Sequence, residues 1–295
     1  MQSESSNCSY FVQDCSVTVI EGKDAITHLN RIITSDIRDI IDLECHKSLI
    51  CDANGKIIDA LEISSIAGQL LVQGISDNSK MTRDLIVSGI HWNEDVQTMN
   101  GDGALSIISL FTRKLDSIKR IIGENSVNEK SGIWNEYEDF YTLKIELKKD
   151  VQVNILIQTE KIQGFIDMIE KKGAKSSNAN SWNTHRIENG ILSNDEYAHN
   201  FLPSELGLEG IVNLKKGCYP GQEIHARLES RGKITKKIMR YNADTILQPG
   251  IYKSNLGKKV IVTSTSKNKG LVVLSVKEGN EIIIGDNVSL TIEQL

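Results

Sequence analysis

Apolar residues recur along the chain in two periods. SVTVI at 16–20 alternates polar and apolar positions as a half-buried strand does, and QLLVQG at 69–74 adds a second strand. In GKDAITHLNRIITSD, Ile26, Leu29 and Ile33 fall at helical spacing, and 79–87 predicts a helix with Met81, Leu85 and Ile86 inward. KSLICD and KIIDALEIS flank Ala53-Asn54-Gly55, and Asn-Gly is a strong hairpin signal. A second unit repeats the theme: ALSIISLF as a strand, RKLDSIKRIIG as a helix with Leu115, Ile118 and Ile122 on one face, then YTLKIEL and QVNILIQ as strands. Thr159 is placed to cap a helix whose buried stripe is Ile162, Phe165, Ile166 and Ile169, and Gly173 ends it. NSWNTHRIEN at 180–189 reads as a short helix, and no period holds from 190 to 216.

Beyond about residue 232, KKIMRYNA, KKVIVTSTS, KGLVVLSV and NVSLTIEQL are strands divided by LQPG, NLG, NKG and EGN turns, the pattern of a small β-barrel. The expected division is 1–230 as two interleaved α+β modules and 231–295 as the barrel. Strands and helices alternate, but several links have hairpin length. That favours α+β with antiparallel sheets over a parallel doubly wound sheet.

Composition changes this picture little. The chain has 295 residues, 39% hydrophobic and 25% charged, too long for one core and ordinary for a globular protein. A net charge of −5 argues against a broad nucleic-acid surface, so no direct nucleic-acid contact is expected. MQSESSNCSYF lacks the basic and apolar regions of a secretion signal, and no apolar run reaches a membrane span. The expectation is a soluble, cytoplasmic protein.

The cysteines, at 8, 15, 45, 51 and 218, include no CxxC pair, so neither a disulfide scaffold nor a resident metal site is expected. The first four read as small buried hydrophobes or passive thiols. The six histidines are dispersed, no phosphate-binding glycine loop occurs, and GDG at 101–103 reads as a turn. KITKKIMR reads as an exposed strand edge protected by lysines rather than a docking strip.

KKGCYPGQE at 215–223 carries the most chemistry. Tyr219-Pro220-Gly221-Gln222 has the residues of a type II turn, proline first and glycine second in the centre. If Gln222 opens a helix, Cys218 lies by its amino end, where free N–H groups favour an anion or a thiolate. Lys215, Lys216, His225 and Arg227 add positive charge, partly offset by Glu223. The alternative is a well-made turn with an incidental cysteine.

KGCYPGQE, with Arg227, resembles the K-G-C-[FY]-x-G-Q-E-x-x-x-R signature of the YgfZ family, folate-binding relatives of the glycine cleavage T-protein that include iron–sulfur assembly factors. Lys216, Gly217, Cys218, Tyr219, Gly221, Gln222 and Glu223 carry the match. VIEGKDAITHLNRIITSDI resembles the family's amino-terminal segment, with Gly22, Asp24, Ala25, Leu29, Thr34 and Asp36 in place and His28 where phenylalanine is usual. CDANGKIIDALEI, RIENGI and LPSELGLEGIV resemble its following segments in order, so the likeness covers about 16–240.

This resemblance implies a GcvT-like fold of α+β modules in a ring closed by a small barrel, with tetrahydrofolate or a derivative as cofactor. Glu205 would read the pterin and Arg186 would face the glutamate tail, with Lys216, Tyr219, Gln222 and Arg227 also at the folate. The rival readings are a solvated loop acid for Glu205 and a helix-surface residue paired with Glu188 for Arg186. Cys218 would be a transient ligand or redox contact, and iron–sulfur client or assembly proteins would be the partners. Aligned with the T-protein, the aspartate position falls on Met81, with Asp77 and Asp84 out of register, and ISLFTRKL lacks its Q-G-P. Both departures point from aminomethyl transfer towards an accessory protein without classical catalysis, the transferase or a related demethylase remaining the alternative.

Overall fold

The computed structural model describes residues 8–74, 76–285 and 288–295. The chain forms two compact units, one of residues up to Asn30 with Ile37–Lys47 and Leu61–Trp182, the other of Arg31–Asp36, Ser48–Ala60 and Asn183–Leu295. Strands β1 (Ser9–Gln13) and β2 (Ser16–Glu21) precede helix α1 (Ala25–Asn30). Then follow β3 (Cys45–Cys51), β4 (Ile57–Ile66), β5 (Gln69–Gly74), α2 (Ser79–Ser88) and β6 (Gln97–Asn100). The sheet order β3-β4-β5-β2-β6 is antiparallel where β2 meets β5 and β6 and where β4 meets β5.

The predicted first helix is shorter than its apolar period. It ends at Asn30, where the chain turns through Arg31 and Ile32, and Ile33 forms an isolated bridge to Ile50 while Thr34 N donates to Leu49 O at 2.9 Å. In α2 the inward residues are Thr82 and Ile86, whereas Met81 is 53% exposed, which corrects its expected inward position. The reason is angular: the buried stripe of α2 runs one residue later than the apolar pattern implies.

The second stretch supplies β7 (Leu105–Thr112), α3 (Leu115–Ile122), β8 (Asn135–Tyr137), β9 (Phe140–Glu146), β10 (Val151–Gln158), α4 (Ile162–Lys171) and β11 (Lys175–Ser176). With β1 these strands make the six-stranded sheet β11-β1-β7-β10-β9-β8. Ile118 and Ile122 of α3 and Phe165 and Ile169 of α4 pack on Ile108, Leu110, Val153 and Ile155 in one buried cluster. Thr159 does not cap α4: its hydroxyl meets Ser106 Oγ at 2.9 Å and a single 3₁₀ turn at Thr159–Lys161 leads into the helix. Gly173 ends it at φ +99°, as its position predicts.

Helices α5 (Ala179–Asn189), α6 (Asn194–Tyr197) and α7 (Gln222–Arg231) lead to β12 (Lys236–Ala243), β13 (Gly250–Lys253), β14 (Lys259–Ser266), β15 (Lys269–Ser275), β16 (Glu281–Ile284) and β17 (Val288–Gln294). The antiparallel order β13-β14-β15-β12-β17-β16 curls into a half-barrel, and a bridge between Ser254 and Ile284 draws its two edges together. Tyr241, Val260, Val262, Val272, Leu274, Leu290 and Ile292 fill it. Because β12 lies between β15 and β17, the lysines of KITKKIMR do not protect a strand edge.

Candidate functional site

The KKGCYPGQE loop folds as its turn chemistry dictates. Gln222 N donates to Tyr219 O at 3.2 Å, and Gly221 stands at φ +83° and ψ −3°, the third position of a type II turn and the residue preceding α7. The β3–β4 hairpin is built by Asp52, whose Oδ1 accepts from Asn54 N at 2.9 Å and Lys56 N at 2.8 Å. Its Gly55 has φ +73°. The two glycine turns meet backbone to backbone, so a Cβ on Gly221 would lie 2.5 Å from Gly55 Cα and 2.7 Å from Asp52 O. Glycine at 221 therefore serves both the turn and this contact.

One helical turn later, His225 fastens the same contact. Its Nε2 donates to Gly55 O at 2.9 Å, and its Nδ1 faces the Tyr219 hydroxyl at 3.4 Å. Tyr219 is buried, and burial raises its phenol above the ordinary range. Tyr219 and His225 are thus internal to the loop–hairpin joint rather than a surface charge.

Lys216 is also internal. Its Nζ donates to Ile33 O at 2.8 Å and Ser35 O at 2.5 Å and lies 5.5 Å from the Tyr219 ring centroid. Gln222 Nε2 donates to Leu214 O and Lys216 O, both at 3.3 Å, closing the loop on itself. Gly217, Cys218, Glu223 and Arg227 face outward, and Arg227 pairs with Glu223 at 2.8 Å on the surface of α7. Gly217 has open space where a Cβ would stand. The structure therefore divides the motif into a buried set that holds the loop and an exposed set that displays the thiol.

Glu205 ends a 3₁₀ turn, Pro203–Glu205, and is 7% exposed, so it is not a solvated loop acid. Its Oε2 accepts from Leu202 N at 2.9 Å and lies 3.6 Å from Lys56 Nζ; its Oε1 lies 3.8 Å from Lys236 Nζ. One lysine comes from the hairpin that carries Gly55, the other from the first residue of β12. A carboxylate this deep requires opposite charge nearby, and the two ammonium groups supply it.

Arg186 is buried too. It does not pair with Glu188, which instead meets Lys269 at 3.4 Å. Its Nη1 donates to Glu196 Oε2 at 2.9 Å, and its Nη2 to Asp195 Oδ2 at 3.1 Å and Ser264 Oγ at 2.5 Å. Glu196, fully buried, also accepts from Ser193 N at 2.9 Å and Thr263 Oγ1 at 2.8 Å, and from the Ser264 hydroxyl. The guanidinium thus joins α5, α6 and β14. Arg240 completes the frame by donating to Ile187 O at 3.0 Å and Glu188 O at 3.1 Å, the carbonyl end of α5.

Among the described residues no cluster of three or more His, Cys, Asp or Glu could hold a metal ion. No described helix is long and apolar enough to cross a membrane. Of the other cysteines, Cys8 and Cys51 are buried, and burial pushes their thiols up to about 12. Lys56, Lys236 and Glu196 escape a reading of the sequence. Lys56 follows an Asn-Gly turn and so had a signal beside it, but nothing local marks Lys236 or Glu196 as partners of distant charges.

No protein-family model matches the chain. A protein of Haemophilus influenzae called only "uncharacterized" is 24% identical over 279 residues, 89% of this chain and 86% of its own. The tRNA-modifying protein YgfZ of Klebsiella pneumoniae is 24% identical over 235 residues, 75% of this chain and 67% of its own. That of Colwellia psychrerythraea is 23% identical over 240 residues, 76% and 68%. The glycine cleavage system aminomethyltransferase T of Bartonella henselae superposes with a TM-score of 0.83 over 98% of this chain and 86% of that one, at 13% identity. The resemblance to YgfZ proteins thus extends along most of the chain, and the fold is that of aminomethyltransferase T.

Proposed function

We propose that this YgfZ-like chain binds tetrahydrofolate or a derivative and serves the assembly or repair of iron–sulfur proteins. The observation that carries the reading is Glu205: a nearly buried carboxylate flanked by two ammonium groups and resting on the same hairpin as the KKGCYPGQE loop. Such a carboxylate accepts two N–H bonds from an aminopyrimidine edge as a bidentate pair. The pterin of a folate presents that edge.

The fold is shared with an aminomethyltransferase, but the chain's own residues favour an accessory role. Met81 occupies the position aligned with the transferase aspartate, and a thioether neither takes nor gives a proton. Asp77 and Asp84 are exposed. In this reading Cys218, displayed on the outer face of the loop, meets iron, sulfur or a client thiol transiently, the partner supplying the remaining ligands. Lys216, Tyr219, Gln222 and Arg186 act through position, holding the loop and the α5 region, while Arg227 stays at the surface. The YgfZ relatives are called tRNA-modifying proteins. We assign this chain to support of an iron–sulfur client in such a process rather than to RNA contact, which its net charge of −5 does not favour.

Calorimetric titration with tetrahydrofolate tests the first half. Binding by the intact protein and by Cys218→Ser, lost in Glu205→Ala, supports it; an intact protein that binds no tetrahydrofolate overturns it. Restoration of client activity by Cys218→Ser to the level of the intact protein would remove the proposed cysteine role.

A further inference from the structure

Charge is divided unevenly along the chain. Residues 232–295 hold ten lysines and arginines against five acidic residues, a net charge of +5 within a chain of net −5. Three of these lysines meet on the β13–β14 hairpin of the barrel. Lys253 stands directly opposite Lys259 across the two strands, and Lys258 lies in the turn between them. Like charges in directly opposed positions repel. All three are exposed, and among the described residues none of their ammonium groups has an ion-pair partner. Glu278, whose carboxylate reaches this turn, accepts from Ser254 Oγ at 2.6 Å instead.

The strand register sets apolar residues on the same face. Side chains two apart on a strand point the same way, so Ile251 lies beside Lys253. Ile283 joins them from β16, because Ser254 bridges Ile284 and Asn255 N donates to Ile283 O at 2.8 Å. Leu256 lies in the turn. Ile251, Leu256 and Ile283 are 65%, 62% and 43% exposed, whereas Ile261, farther along β14 on this face, is buried in the cluster of Leu49, Ile187 and Phe201. The turn is fixed before anything meets it. Gly257, at φ +70°, donates its N–H to Ser254 O at 2.8 Å, and Lys258 N donates to Ser254 Oγ at 3.2 Å.

The complement of such a face carries negative charge and hydrocarbon together. The face holds no Trp, Tyr or Arg, the side chains that anchor protein interfaces, and no ring on which a nucleobase could stack. An anionic bilayer offers both requirements: phosphate headgroups for the ammonium groups and acyl chains just beneath for the leucine and isoleucines. We infer that the β13–β14 hairpin, through Ile251, Lys253, Leu256, Lys258, Lys259 and Ile283, is a docking surface for an anionic lipid bilayer. The contact is peripheral and reversible, since each lysine at such a surface strengthens binding only about fivefold.

Co-sedimentation of the full chain with vesicles tests this. The probes are phosphatidylcholine vesicles with about one third phosphatidylglycerol, and vesicles of phosphatidylcholine alone. The intact protein should bind the anionic vesicles about tenfold or more tightly than the neutral ones, and lose most of that preference between about 0.1 M and about 1 M sodium chloride. Joint replacement Lys253→Gln, Lys258→Gln and Lys259→Gln should weaken binding to anionic vesicles about tenfold or more. Ile251→Ser with Leu256→Ser should weaken it about fivefold and leave the salt dependence unchanged. No binding to anionic vesicles, equal binding to both kinds, or undiminished binding by the triple lysine variant overturns the inference. Polyglutamate or transfer RNA bound through the same lysines, with vesicles ignored, would give the face to an acidic protein or an RNA and overturn it too. The substituted side chains are exposed, so the variants should unfold at the temperature of the intact protein. Should the triple variant not fold, the salt dependence of the intact protein and Lys259→Gln, with its loss of about fivefold, decide.

Discussion

Gly221 and Gly55 pack backbone on backbone, so that a Cβ on Gly221 would lie 2.5 Å from the Gly55 Cα. The neighbour is main chain and cannot swing aside. Gly221→Ala should therefore combine a left-handed backbone penalty with overpacking and cost about 2–5 kcal/mol. Urea unfolding would show this as a lower midpoint with little change in slope. An unaltered midpoint would mean that the two turns separate at no cost.

His225 supplies the hydrogen bond that closes the same joint. His225→Leu leaves Gly55 O without its donor and should cost about 1–3 kcal/mol. His225→Gln, which can still donate, should recover part of that loss in thermal unfolding. If leucine and glutamine behave alike, the bond to Gly55 contributes nothing specific.

Arg186 and Glu196 form a buried ion pair, 3% and 0% exposed. Removing one partner strands the other, so Arg186→Met and Glu196→Gln should each cost about 3–5 kcal/mol. The double variant should fall short of the summed cost by about 1–3 kcal/mol, read as the coupling in a double-mutant cycle. Strict additivity would show that the pair does not act as a unit.

The thiols divide by burial. Cys218 is exposed, whereas burial pushes Cys8, Cys15, Cys45 and Cys51 up to about 12. At pH 8 a disulfide reagent should modify Cys218 alone in the native protein, with all five cysteines reacting in denaturant. Rapid native reaction at a second position, located by peptide mapping, would contradict this.

The same shifts set a pH window. A group whose folded value lies above its ordinary value of 9.0 contributes stability that is complete below pH 9 and is lost as pH rises towards about 12. Each buried thiol should lower stability by about 1.4 kcal/mol per pH unit across that range. Unfolding free energy measured from pH 8 to 11 should fall less steeply for the Cys8→Ala, Cys51→Ala double variant than for the intact protein.

Much of the fold was legible because it is local. Alternation fixed the strands of both halves, Asn54-Gly55 fixed its hairpin, and Pro220-Gly221 fixed a turn whose glycine stands at φ +83°. The misses were local rules overridden by neighbours. Ile33 keeps helical spacing with Leu29, yet it pairs with Ile50 because that partner, 17 positions on, offers a bridge. Met81 is apolar, yet the stripe that α2 buries falls on Thr82 and Ile86.

The sequence by itself determined where the chain must turn, which segments are extended and which loop displays a thiol, since sterics and side-chain period act within a few residues. Tertiary structure decided the charges. Glu205 meets Lys56 and Lys236, Arg186 meets Glu196 and Ser264, and Lys216 meets the carbonyls of residues 33 and 35. The last two contacts span 183 and 181 positions of sequence. Whether a charge stands in water or buried beside its opposite depends on which distant segments pack around it, and no local pattern carries that information.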